Sequence, residues 1–309
     1  MDFVQQMKIV ANIQVSQLVE AMRSSGVLGA GRVAKAAEVL ADLLKDPDYT
    51  VFLSLAGPVV PGGLRSVVAE LIKRRAVDAV VSNGANITHD LVEALGFRHV
   101  KGNLAADDVK LGEEGIGRIG DVYVEQQAFQ ALEKESYRLL DRLLQEKTER
   151  KLGVYEILEG LGRLLVDGDS LLAAASQTGV PVFSPGIYDS MLGLHLWTYG
   201  RSKGLTVDLA KDMDRMAELV FNSKKIGAVI LGGGMPKHYV LGASMLKGGV
   251  DAALQITMDR PETGSLSGAT LEEAISWRKA KPEGSLVTVT ADFTIVFPLL
   301  VAYALSKLP

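Results

Sequence analysis

Apolar positions along this chain follow two alternating patterns. Short unbroken runs rich in β-branched residues recur at 49–55, 77–82, 180–184, 226–231, 252–257 and 286–291. Between them lie longer stretches with helical spacing, at 63–75, 128–147, 206–223 and 237–246. A strand that is apolar along its whole length is buried on both faces. Strands of that kind alternating with helices predict a parallel sheet covered by helices on both sides, an α/β fold. The stretch 125–178 is mostly helical and amphipathic and is expected to pack on the same sheet as an insertion. Residues 1–48 read as an N-terminal helical segment, so the whole of 1–309 is expected to form a single large domain.

The strand exits draw attention next. They read Ala56-Gly57-Pro58, Asn83-Gly84-Ala85-Asn86, Pro185-Gly186, Gly232-Gly233-Gly234, Asp259-Arg260-Pro261 and Asp292. Ligands of open α/β sheets sit beyond the carboxyl ends of the strands, so six exits rich in Gly, Asn and Asp suggest one binding crevice. Composition narrows the chemistry. The chain has 309 residues, no cysteine and a net charge of −4. Disulfides, thiolate catalysis and thiolate metal sites are excluded. The mild acidity disfavours nucleic acid and suits a basic protein partner better. The first ten residues lack the basic-then-apolar order of a secretory leader, and the longest apolar run, 295–305, is too short to span a bilayer. Four scattered histidines without HExxH spacing give no metal site.

Individual motifs carry alternatives. Gly29-Ala30-Gly31-Arg32-Val33-Ala34 fits GxGxxA, but no strand precedes it, and a glycine-rich loop between helices is expected instead. Gly232-Gly233-Gly234 is better placed, after a strand and before Pro236, where free amides could hold a phosphate or a polar cofactor edge. His238 follows at the helix start as a candidate for proton transfer. Asp292 either accepts from a ribose hydroxyl or caps the next helix. The helical stretch 271–281 opens with Thr270-x-x-Glu273, a capping-box spacing. Glu273 and Trp277 also share a face four residues apart, where they could hold an ammonium. Lys279 lies just beyond. An amine beside an indole becomes a nucleophile towards carbonyls and imines when it is desolvated.

Taken together, LGGGMPKH (231–238), SGATLEEAISWRK (267–279), ADFTIVFPLLVA (291–302), PVFSPGIYDSMLG (181–193) and VFLSLAGPVVPGGLR (51–65) resemble deoxyhypusine synthase, in order, over about 17–306. NGANITHD and the Gly-Leu-His-Leu at 193–196 look like archaeal-type members. The resemblance implies a Rossmann-like fold, a cytoplasmic homotetramer, NAD as cofactor, and no membrane or nucleic-acid partner. It implies transfer of the aminobutyl group of spermidine to a lysine of the translation factor 5A precursor, through an imine on an enzyme lysine. By that resemblance Lys279 is the imine-forming lysine and His238 the polyamine-site histidine. Glu273, Trp277, Gly233, Gly264 and Ser265 fall at the substrate. Gly57, Pro58, Val59, Val60, Pro61, Asn83, Gly84, Ala85, Asp189, Gly234, Ser267, Asp292 and Phe293 fall at the cofactor. Three departures stand out. The usual Trp-Gly-Lys is Trp277-Arg278-Lys279, Leu194 and Leu266 replace carboxylates of eukaryotic members, and His89 replaces a glutamate. The same chemistry directed at a free amine, as in homospermidine synthase, stays open, and Arg278 with the lost carboxylates keeps open a non-catalytic paralogue that binds NAD or a partner.

Overall fold

The computed structural model describes residues 2–308. The chain forms two compact units: residues up to Ala56 with Ala76–Val81 and Met216 onward, and Gly57–Arg75 with Ser82–Arg215.

The first unit is built on strands β1 (Tyr49–Leu55), β2 (Ala79–Ser82), β3 (Lys225–Leu231), β4 (Val250–Thr257) and β5 (Ala280–Thr290), in the order β5-β4-β3-β1-β2. β1 pairs in parallel with β3, β3 with β4, and β4 with β5. The β1–β3 register aligns Tyr49 with Lys225 and Leu55 with Leu231, so the two strands end together. Leu53, Leu55, Ile230, Leu231, Leu254 and Ile256 are fully buried, which is why these strands are apolar on both faces. The Leu28–Lys45 helix packs on β5 and β4 and against the Val15–Ser25 and Phe293–Ser306 helices, while the Gly234–Ser244 helix packs on β1.

The GxGxxA residues lie inside the Leu28–Lys45 helix, so the expected glycine-rich loop is corrected to helix. Gly31 has a packing role there: a Cβ on it would meet the Gly26 carbonyl carbon at 2.5 Å.

The second unit holds the expected helical stretch as three helices, Gln126–Glu146, Val154–Arg163 and Leu171–Thr178. It also contains the Arg65–Lys73, Gly84–Ala94 and Met191–Lys203 helices, the short Val182–Phe183 strand, and an antiparallel three-stranded sheet (Val100–Lys101, Ile116–Ile119, Val122–Glu125). A buried polar cluster organises its centre. Asp90, fully buried, accepts from Arg65 Nε at 2.7 Å, Ser170 Oγ at 2.7 Å, and the amides of Leu171 and Leu172 at 3.1 Å. It thereby satisfies donors at the start of the Leu171–Thr178 helix, beside the capping Ser170. Asp212 does the same for the Val154–Arg163 helix, accepting from the amides of Val154 (2.7 Å) and Tyr155 (2.9 Å). Burial nevertheless pushes its carboxyl up to about 6, outweighing the two amide bonds. No described helix is long and apolar enough to cross a membrane.

Candidate active site

Three glycines follow β3 at the carboxyl end of the first unit's sheet. Gly232 (φ 75°) and Gly234 (φ 57°) adopt left-handed backbone, which explains two of them. Gly233 is explained by crowding: a Cβ there would sit 2.4 Å from Ser267 Cα. The amide of Gly234 donates to Ser267 Oγ at 2.8 Å. That donor is committed within the protein, so the expectation of a free amide cradle at this turn loses one of its groups.

The segment carrying Ser267 is stitched down from below. Gln255, fully buried on β4, donates from Nε2 to the carbonyls of Gly232 (2.9 Å) and Ser267 (2.8 Å). Its Oε1 accepts from Lys237 Nζ at 3.0 Å, and Lys237 also donates to the carbonyls of Leu266 (2.9 Å) and Ala269 (2.6 Å). Lys237 is only 1% exposed, yet all three ammonium donors are satisfied. Burial lowers its pKa to about 8; Glu273 opposes the shift and Lys279 adds to it. Nothing in the sequence reading singled out Lys237. A lysine three residues after a glycine triplet, on the inner face of a helix, was the available signal.

The next segment corrects the sequence expectation. In place of a helix over 271–281 there is one turn, Glu273–Ser276, and Ala280 already starts β5. The capping box does not form: the N-cap is Glu272 and no side chain caps the helix. The turn closes as a Schellman motif, with Lys279 N donating to Ala274 O (2.9 Å) and Arg278 N to Ile275 O (2.9 Å). Arg278 takes the left-handed position at φ 57°, where glycine is favoured. The carbonyl of Lys279 is held as well, by Val250 N at 3.0 Å and Ser244 Oγ at 3.1 Å. Gly249 lets the chains meet there, since a Cβ would be 2.8 Å from Ala280 N. The backbone of Lys279 is therefore fixed on both sides.

Its side chain enters a cleft of about 470 Å³ lined by Lys237, His238, Gly264, Leu266, Glu273 and Trp277, among others. Lys279 Nζ lies 3.5 Å from His238 Nδ1 and 5.5 Å from the centre of the Trp277 ring. Trp277 is 63% exposed, an open wall rather than core. An amine, an imidazole, a carboxylate and an indole thus converge on one cleft. Such a set can bind a cationic chain by Glu273 and Trp277, form an imine at Lys279 and shuttle a proton through His238.

The remaining candidates of the first unit lie outside this lining. Gly233, Gly234 and Ser267 form the stitched turn. Ser265 Oγ closes its own loop, accepting from Gly268 N at 3.2 Å. Asp292 caps the Phe293–Ser306 helix, accepting from Thr294 N and Oγ1, both at 2.8 Å; Phe293 is the first residue of that helix. In the second unit, Asn86 ties together two cofactor candidates: its Nδ2 donates to Gly57 O (3.0 Å) and its Oδ1 accepts from Val60 N (3.1 Å). Asn83 caps the Gly84–Ala94 helix and reaches Gly57 O at 3.5 Å, so Gly57 to Pro61 and Asn83 to Ala85 meet at one corner. Gly84 is required by Ser190, whose Oγ a Cβ would meet at 2.5 Å. Asp189 is exposed, just before the Met191–Lys203 helix.

The model of the deoxyhypusine synthase family matches residues 17–304. The chain belongs to the deoxyhypusine synthase family. It is 47% identical over 305 residues to a probable deoxyhypusine synthase of Methanothermobacter thermautotrophicus, covering 99% of this chain and 98% of that one. A probable deoxyhypusine synthase of Methanopyrus kandleri is 43% identical over 93% of this chain and 92% of its own. A crystal structure of an Entamoeba histolytica protein provisionally assigned to the same enzyme superposes with a TM-score of 0.68, covering 96% of this chain and 94% of that one. At 18% identity it shows the shared fold. Membership in the deoxyhypusine synthase family makes the chain a transferase by kinship, and the cleft around Lys279 its candidate active site.

Proposed function

We propose that this protein transfers the aminobutyl group of spermidine to a lysine of the translation factor 5A precursor, with NAD as cofactor. The observation that carries the reading is the fixed backbone of Lys279, which presents its amine beside His238 in a cleft walled by Glu273 and Trp277. NAD, when bound, would accept a hydride from the donor amine and return it to the imine left on the acceptor lysine. The corner made by Gly57 to Pro61 with Asn83 to Ala85 fits such a group, because a helix N-terminus there faces a loop already ordered by Asn86.

The chain's own residues do the rest. Glu273 pairs with the donor's ammonium, and Trp277 gives its methylenes and charge an aromatic face. Lys279, as a free amine, attacks the oxidised carbon, displaces the leaving diamine and holds the aminobutyl group as an imine. The acceptor lysine then displaces Lys279. His238 is within reach of the Lys279 amine to take and return its proton.

Borohydride reduction of enzyme with spermidine and NAD, followed by mass spectrometry, tests this. A C4 amine adduct on Lys279, absent in Lys279→Arg, is expected; normal modification of the factor by that variant would sink the mechanism. A second reading, a non-catalytic paralogue, is favoured by Leu266 on the cleft wall, where a eukaryotic-type carboxylate would grip a second ammonium; absence of the borohydride adduct would support it. Offering putrescine and factor precursor separately shows which one gains the aminobutyl group.

A further inference from the structure

His89 and His99 of the second unit form a chain with a carboxylate that the chemistry above does not use. Glu93 Oε1 lies 2.7 Å from His99 Nδ1 and accepts from the His99 amide at 3.4 Å. His99 Nε2 lies 2.9 Å from His89 Nδ1. Both rings are nearly enclosed, with His89 9% exposed and packed edge-on against Phe129.

The polarity of this chain follows from its carboxylate end. An ionised Glu93 only accepts, so His99 Nδ1 carries the proton. The His99 ring is neutral when its Nε2 is bare, and that atom then accepts from His89 Nδ1–H. The lone pair left over is on His89 Nε2, which has no hydrogen bond among the described residues and is not one of their fully buried polar atoms without partners. Each ring is thus held in the tautomer set by its neighbour. His89 stands four residues after the exposed Ala85, on the same face of the Gly84–Ala94 helix.

We propose that Glu93, His99 and His89 are a proton relay, with His89 Nε2 the proton acceptor for a hydroxyl- or amine-bearing ligand held at the corner of Gly57 to Pro61 and Asn83 to Ala85. A proton arriving at Nε2 moves the Nδ1 proton of His89 to His99 Nε2, and the Nδ1 proton of His99 to Glu93. Both rings end neutral with exchanged tautomers, and the carboxyl ends protonated, so no charge is stranded on a buried imidazole. The charged groups facing the relay are Arg65, 3.9 Å from Glu93 and itself paired with Asp90 and Asp167, and Arg98, 3.7 Å from Glu93. Burial and the neighbouring His99 lower the pKa of His89 to about 4, which keeps its lone pair available at neutral pH.

The identity of the ligand rests on the NAD-dependent reading, while the relay can be tested without turnover. Nitrogen-15 spectra of the histidine-labelled protein should show both rings as neutral Nδ1–H tautomers; an Nε2–H tautomer at His89 overturns the relay. Diethyl pyrocarbonate, which acylates bare imidazole nitrogens, should modify His89 at a rate that stays flat from pH 7 to about 5.5, where an ordinary imidazole slows about tenfold. His99→Leu should slow this acylation several-fold, and His99→Asn, which still offers an acceptor, should restore it. A flat response to both variants refutes the assignment, and the wild-type spectra decide the tautomer even if a variant misfolds. NAD, with binding measured separately by calorimetry, should slow the acylation about tenfold; NAD that binds without protecting His89 refutes the ligand contact. Absence of NAD binding counts against the proposed function and leaves the tautomer result standing.

Discussion

Replacing Arg278 by glycine should stabilise this protein. Arg278 holds φ 57° at the left-handed position of the Schellman turn, and both bonds of that motif depend on it. A side chain with a Cβ costs about 1–2 kcal/mol in that conformation, which glycine adopts freely. Glycine also loosens the unfolded chain, by about 0.4–1 kcal/mol. The difference leaves a net gain of about 0.5–1 kcal/mol. Among the described residues the guanidinium makes no hydrogen bond or ion pair that would be lost with it. Urea unfolding monitored by circular dichroism should show a higher midpoint at unchanged slope. Arg278→Ala is the control, since it removes the side chain and keeps the strain; it should be within about 0.5 kcal/mol of wild type. If glycine is neutral or destabilising, or if alanine stabilises equally, backbone strain at 278 is not the operative quantity. Faster trapping of the imine by the glycine and alanine variants alike would show, separately, that the arginine charge opposes a cationic donor.

Gly233→Ala should distort the turn under the cleft, because its Cβ would fall 2.4 Å from the backbone of Ser267. A loss of about 1–3 kcal/mol in the same unfolding assay is expected, with weaker donor binding, and a fully stable variant would refute the crowding argument. Asp212 offers a pH test. Its folded pKa is raised from 3.8 to about 6, so the protonated form is favoured by folding and stability is gained as pH falls through 6 towards 4. The advantage of wild type over Asp212→Asn should therefore grow by about 2–3 kcal/mol between pH 7 and pH 4, at 1.36 kcal/mol per unit; a shrinking advantage would reverse the sign.

How far the sequence was readable depended on whether the signal was local. β1 was expected at 49–55 and is found there, because its burial on both faces leaves an unbroken apolar run. β5 was expected from 286 but starts at Ala280, since Pro282, Glu283 and Gly284 hide its first half and its register shifts there. The expected helix over 271–281 collapsed to a single turn because the Schellman closure is set by contacts with Val250, Ser244 and Gly249. No residue spacing records such partners. Lys279, His238, Glu273 and Trp277 were legible as a set and do share one cleft. Lys237 escaped notice because its work is done inward, on carbonyls that carry no sequence signal.

The pairing of β1 with β3 has a consequence for how the protein is made. The ladder joins Tyr49 to Lys225, and every residue of the second unit is synthesised between them. When the ribosome has finished the second unit, β1 has still to meet the strand that completes its ladder, and Lys279 does not yet exist. The two units thus become complete in the reverse of the order in which they begin. The apolar edge of β1, exposed during that interval, is where a nascent chain of this protein is open to wrong pairing.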